Sequence, residues 1–227
     1  MAGEFLPSRH GFAFDNGWPD QPALTLPTPF GGIGIGNAGA GLCGGMVFAA
    51  LDYFLAGRDA LPDRPAAGEP LYRFIVRRLI DSWHFPAGVA QYYRWMGLPD
   101  GDQVIRLFDG QVLTLRGLGW RTVRVEWPRI RNDLDRGRPV PLGVVTVASR
   151  NPRALALNHQ ALAIGYELDG PRVKVRVYDP NSGRRDDVAI TMDTSAPTGP
   201  VPFGHNLGLQ RPIRGFFRVA YTPRTPR

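Results

Sequence analysis

A chain of 227 residues with 43% hydrophobic, 11% aromatic and 21% charged residues has the composition of a globular protein that can bury one good core. No apolar run is long enough to cross a membrane, and a single cysteine excludes an internal disulfide and a cysteine-built structural zinc site. The formal charge of +7 does not point to nucleic acid: nearly all of it is arginine, Lys174 is the only lysine, and the arginines are interleaved with Asp and Glu rather than gathered in a run.

Residues 1–42 are rich in Gly and Pro and read as an ordered arm wrapping the surface. The first residues carry neither the basic segment nor the apolar core of a secretory signal, so the cytoplasm is the expected compartment, with non-classical export as the alternative. A helix is predicted from Cys43 to about Leu55, stopped by Gly57; it is apolar on every face except at Asp52 and must therefore be central. After a Pro-rich connection over 58–68, two more helices are predicted over about 69–83 and 87–96. Residues 98–126 have mixed periodicity, and a short helix over 127–136 ends at Gly137. The pattern then changes to strands at 140–148, 158–168, 172–178, 188–192 and 213–221, with a Gly/Pro-rich loop over 193–211. Helices first and strands second predict an α+β fold with an antiparallel sheet in a single domain, 1–42 as arm, 43–137 mainly helical and 138–227 forming the sheet.

Cys43 stands where a glycine-rich loop meets the apolar helix. Unpaired N–H groups and the helix dipole favour a thiolate there, so the position suits a nucleophile. A cysteine nucleophile needs a base, a group to orient that base, and donors for the oxyanion. Among His10, His84, His159 and His205, the best placed is His159, which opens a predicted strand. On that strand Ala161, Ala163 and Gly165 share its face, and their small side chains suit close approach of the Cys43 helix. Leu162, Ile164 and Tyr166 take the other face. If Val173, Val175 and Val177 also point inward, a three-residue loop over 168–170 sets Asp179 directly across from His159, with Cβ atoms about 4.5–5.5 Å apart. A two-residue loop would put them on opposite faces. Each residue alone also has a plain structural reading: a buried thiol, a strand-opening histidine, and an aspartate in the turn Tyr178-Asp179-Pro180-Asn181-Ser182-Gly183.

Taken in order, a Cys at a helix start, a His beginning a strand (Asn158-His159-Gln160-Ala161-Leu162) and an Asp after the next strand (Val177-Tyr178-Asp179-Pro180-Asn181) resemble papain-like cysteine peptidases, in particular their bacterial double-glycine-peptidase-like branch. The resemblance implies a papain-like fold and a Cys43–His159–Asp179 triad acting through a thioester on a peptide or protein substrate, without cofactor or metal, with Asn181 as the alternative third residue. That family normally carries a Gln shortly before the Cys, whose amide helps form the oxyanion hole with the backbone N–H of the Cys. Here Asn37, one methylene shorter, lies at the matching spacing, either as that donor or as a turn or capping residue. Cys43 is followed by Gly44-Gly45 rather than by papain's own Trp, which argues against close kinship to papain. The same triad would serve an acyltransferase or a deamidase, and a non-catalytic binding protein on the same scaffold is the alternative from another class.

Other motifs carry less. Gly34–Gly39 matches G-x-G-x-x-G, but no good buried strand precedes it and Asp59 sits in a loop. Asp186-Asp187 reads as a solvated turn. Trp83-His84-Phe85 reads as a buried aromatic cluster rather than a pocket lining, and Tyr92, Tyr93 and Trp95 read as helix packing.

Overall fold

The computed structural model describes residues 3–18, 24–28, 31–35 and 42–226, and in it helices pack on a curled antiparallel sheet. The described first part of the arm, residues 3–18, is anchored in the interior by its aromatic side chains. Around the short helix α1 (Pro7–His10), Phe5, Phe12, Phe14 and Trp18 are buried in the same core as the central helix. Burial of these large apolar side chains outweighs the Gly and Pro content that suggested a surface wrap. Farther on, β1 (Leu24–Thr28) and β2 (Gly31–Ile35) pair antiparallel.

Helix α2 spans Cys43–Leu55 and stops where Gly57 takes φ +66°, a left-handed conformation that glycine accepts without strain. Every residue from Gly44 to Phe54 is buried, including Asp52. That aspartate is matched by Arg78 of α3 (Pro70–Ser82), Oδ2 to Nε 2.6 Å, and accepts from the Tyr221 hydroxyl at 2.6 Å and the Arg224 N–H at 2.8 Å. A buried charge persists only when paired and hydrogen-bonded in this way. The two helices touch closely because Gly45 has no side chain; a Cβ there would run into the Ile75 carbonyl. Helix α4 is Ala87–Met96.

The ambiguous region resolves into an exposed hairpin, β3 (Gln103–Arg106) with β4 (Val112–Leu115), then α5 (Leu118–Arg121), a π-helical turn over Thr122–Glu126 and α6 (Trp127–Leu134), closed by Gly137 at φ +67°. The main sheet contains β5 (Val140–Val145), β6 (His159–Asp169), β7 (Arg172–Tyr178), β8 (Ala189–Asp193), β9 (Phe203–His205) and β10 (Gly215–Arg218), in the order β10-β5-β6-β7-β8-β9. Strand β9 lies within the stretch expected to be all loop. Phe203 of β9 also bridges to Ile213, just ahead of β10, so the sheet curls until its two edges nearly meet.

Two cores result. One holds α2 with Leu162, Tyr178 and the aromatic arm; the other holds Ala161, Ala163, Val173, Val175, Val177 and, from α6, Trp127 and Ile130. The alanine face of β6 therefore receives the α6 side of the molecule, not the Cys43 helix, which packs among the larger side chains instead. No helix among the described residues is long and apolar enough to cross a membrane.

Candidate active site

The expected register fails in detail and succeeds in effect. Asp169 pairs with Arg172, so the turn holds two residues rather than three. In an unbroken ladder that pairing would place Asp179 opposite Leu162, on the wrong face for His159. A bulge intervenes: the register slips between Gly165 and Ala163, leaving Ile164 as an extra residue. Beyond it Ala163 faces Val177 and Leu162 faces Tyr178. One further step sets Asp179 opposite Ala161, diagonal to His159 on one face. The slip also exchanges the residues next to the turn. Tyr166 joins the core of Ala161 and Ala163, and its ring lies 5.2 Å from that of Trp127, while Gly165 pairs with Arg176. Diagonal neighbours start about 7–8 Å apart, within reach of an imidazole. His159 Nε2 and Asp179 Oδ1 meet at 2.7 Å, with the two residues 4% and 1% exposed.

Asp179 is held from every side. Besides His159 it accepts from the Asn181 N–H at 3.1 Å, the Ser182 hydroxyl at 2.7 Å and the Gly208 N–H at 2.7 Å. Burial pushes its carboxyl up, yet the bonds from His159, Ser182 and Gly208 outweigh it and bring the pKa down to about 2. Asn181 does not replace it, since its amide donates to the Gly208 carbonyl at 3.2 Å. Ser182 and Gly208 were not singled out as site residues. The Asp-x-x-Ser turn was visible, but nothing in the sequence indicates that the 193–211 loop returns to clamp it.

Cys43 is half-buried at the first position of α2, and no side chain caps that helix. Its side chain lies against the His159 ring, and because Nε2 is engaged by Asp179, Nδ1 is the nitrogen left to serve the thiol. Burial alone would lower the His159 pKa. Electrostatic attraction from Cys43, then the Asp179 contact, outweigh it and raise the value to about 10. At neutral pH His159 is therefore an imidazolium beside the Asp179 carboxylate. Asn37 lies outside the described residues.

No family model matches this chain, and neither a curated protein nor a solved structure does.

The other histidines have separate partners. His10 Nδ1 accepts from the Leu6 N–H, His205 Nε2 faces the Arg211 carbonyl, and His84 is an exposed residue at φ +41°. Trp83-His84-Phe85 is not a buried cluster: Phe85 is 66% exposed, and only Trp83 packs inward, 5.4 Å from the Tyr92 ring. Among the described residues no group of three or more His, Cys, Asp or Glu side chains is placed to hold a metal ion.

Proposed function

We propose that this chain is a papain-like cysteine hydrolase that cleaves an amide or isopeptide bond through a Cys43 thioester. The observation that carries the reading is one buried imidazole that bonds to Asp179 at 2.7 Å and lies against the Cys43 side chain. Each residue supplies a distinct part. The Cys43 sulfur attacks the carbonyl carbon, and negative charge moves to the carbonyl oxygen. The N–H groups of the first turn of α2, which have no helical acceptor, are the donors for that oxyanion. As the tetrahedral species collapses, the C–N bond breaks and His159 gives its proton to the leaving amine, which leaves a thioester. His159 then takes a proton from water, whose oxygen attacks the thioester, and the Cys43 thiolate departs with the acid as product. Asp179 fixes the ring orientation and favours the imidazolium throughout.

Cys43 is the only thiol in the chain, so intact-mass analysis reads its modification without mapping. With iodoacetamide at pH 6, the wild-type protein is expected to gain one adduct at least tenfold faster than His159→Ala, and Cys43→Ser none. Equal rates in wild type and His159→Ala would overturn the reading.

A further inference from the structure

A second buried polar group stands directly behind the site, and it rests on the reading of Cys43, His159 and Asp179 given above. We propose that Tyr92 is a positioning residue for His159: its hydroxyl ties the His159 backbone to α4 and so fixes where the imidazole sits between Cys43 and Asp179.

Tyr92 is 3% exposed and its hydroxyl donates to the carbonyl oxygen of His159 at 3.2 Å. The ring is clasped by Trp83 at 5.4 Å and Phe217 at 4.8 Å, so the hydroxyl has little freedom to point elsewhere. The sheet opens a place for it. Gly143 pairs with Gln160, and a Cβ at Gly143 would come within 2.8 Å of the Tyr92 hydroxyl and within 2.6 Å of the Phe217 ring. Gln160, the residue after the base, donates from Nε2 to Ser82 Oγ at 3.2 Å, and its side chain lies beside the Tyr92 hydroxyl. Ser82 in turn donates to the Leu79 carbonyl at 2.8 Å. The same amide lies 2.8 Å from the place a Cβ on Gly44 would take, beside the nucleophile. One polar cluster thus touches α3, α4, β5, β6 and the first turn of α2, and it joins the residues flanking Cys43 and His159.

Packing alone does not explain the cluster. Gln160 is 2% exposed and its Oε1 has no hydrogen-bond partner among the described residues. An unmet buried acceptor destabilises a fold, and an apolar side chain would fill the space without that cost. Buried polar groups kept against stability are expected where geometry must be held tightly, because a misplacement of about 1 Å at a reacting group can cost a hundredfold in rate.

The test uses the full chain with Tyr92→Phe, which keeps the ring and deletes the donor. Two readouts are taken: the proton NMR signal of the His159 Nε2–H bonded to Asp179, and the rate of Cys43 alkylation at pH 6. Tyr92→Phe is expected to shift or broaden the Nε2–H signal and slow alkylation about tenfold. Phe217→Leu, which loosens the same ring but keeps the hydroxyl, is expected to lower the melting temperature and leave the signal in place. A Tyr92→Phe signal identical to wild type overturns the proposal, as does an equal displacement in Phe217→Leu. If Tyr92→Phe does not fold, Gln160→Met is read in the same way: a displaced signal supports the proposal and an unmoved one overturns it. Failure of the hydrolase reading looks different. There, wild-type alkylation would match His159→Ala, while the Nε2–H signal would still report whether Tyr92 positions the ring.

Discussion

Replacing Asp179 by Asn isolates the charge that the site places behind His159. The amide oxygen can still accept from Nε2, but it is neutral. A hydrogen bond to a charged acceptor contributes about 1.5–3 kcal/mol and a neutral one about 1 kcal/mol, so the imidazolium loses roughly 0.5–2 kcal/mol. One pH unit corresponds to about 1.4 kcal/mol, which moves the His159 titration down by about one pH unit. The wild-type midpoint of about 10 should therefore fall to near 9. Geometry adds a second effect. With its oxygen toward His159, the Asn turns its NH₂ toward the Ser182 hydroxyl and the Gly208 N–H, which now bond to Oδ2 at 2.7 Å each, so the Gly208 donor loses its carboxylate acceptor. Histidine-selective ¹⁵N NMR across pH 5 to 11 measures the midpoint, with His159→Ala assigning the signal, and amide hydrogen exchange follows Gly208. A wild-type midpoint near the ordinary 6.5, or one unchanged in Asp179→Asn, would refute the reasoning. Cys43→Ser should lower the midpoint as well, because Cys43 is the larger of the two attractive influences on the ring.

The His159–Asp179 pair also sets a pH window for stability. A raised histidine value means its contribution is complete below about pH 6.5 and is lost as pH rises through about 10; a depressed aspartate value means its contribution holds above about pH 3.8 and is lost as pH falls through about 2. The difference in melting temperature between wild type and His159→Gln should be largest between about pH 4 and 6.5 and close toward pH 10, and a gap that widens above pH 7 would contradict this. Gly45→Ala forces a Cβ against the Ile75 carbonyl between α2 and α3, with an expected cost of about 1–3 kcal/mol, or roughly 2–12 °C in melting temperature. Arg78→Met leaves Asp52 buried without its cation and should cost about 3–5 kcal/mol, whereas the double change Asp52→Leu with Arg78→Met recovers most of it in a thermal melt.

The parts of this fold that the sequence discloses are those governed by local chemistry. Helix α2 is delimited at both ends because an apolar run broken only by Asp52 lies between a glycine-rich loop and Gly57. Helices α3 and α4 follow from their prolines and periodicity. The four aromatic anchors of residues 3–18 are not legible beneath the arm's Gly and Pro content, because their partners lie far along the chain. Hairpin β3–β4 and the π-helical turn escaped notice because both are short and neither shows a clean period. At the site, chain order singled out Cys43, His159 and Asp179, and residue parity correctly identified register as the deciding question. It could not supply the answer, since a bulge leaves no reliable mark on a strand of small apolar residues. Tyr92 looked like packing, and its ring does pack; only the long-range approach of the His159 carbonyl gives its hydroxyl a purpose.

The bulge at Ile164 also gives β6 an asymmetric tolerance to changes in length. The strand carries one residue more than its ladder with β7 requires. Losing any single residue near that point can be absorbed by flattening the chain there, with His159 and Asp179 still on one face. Gaining one cannot, because a second unpaired residue would have to be accommodated where Ala161 and Ala163 are already fully buried. A shortened β6 should therefore keep the His159–Asp179 contact, and a lengthened one should lose it with both side chains still present.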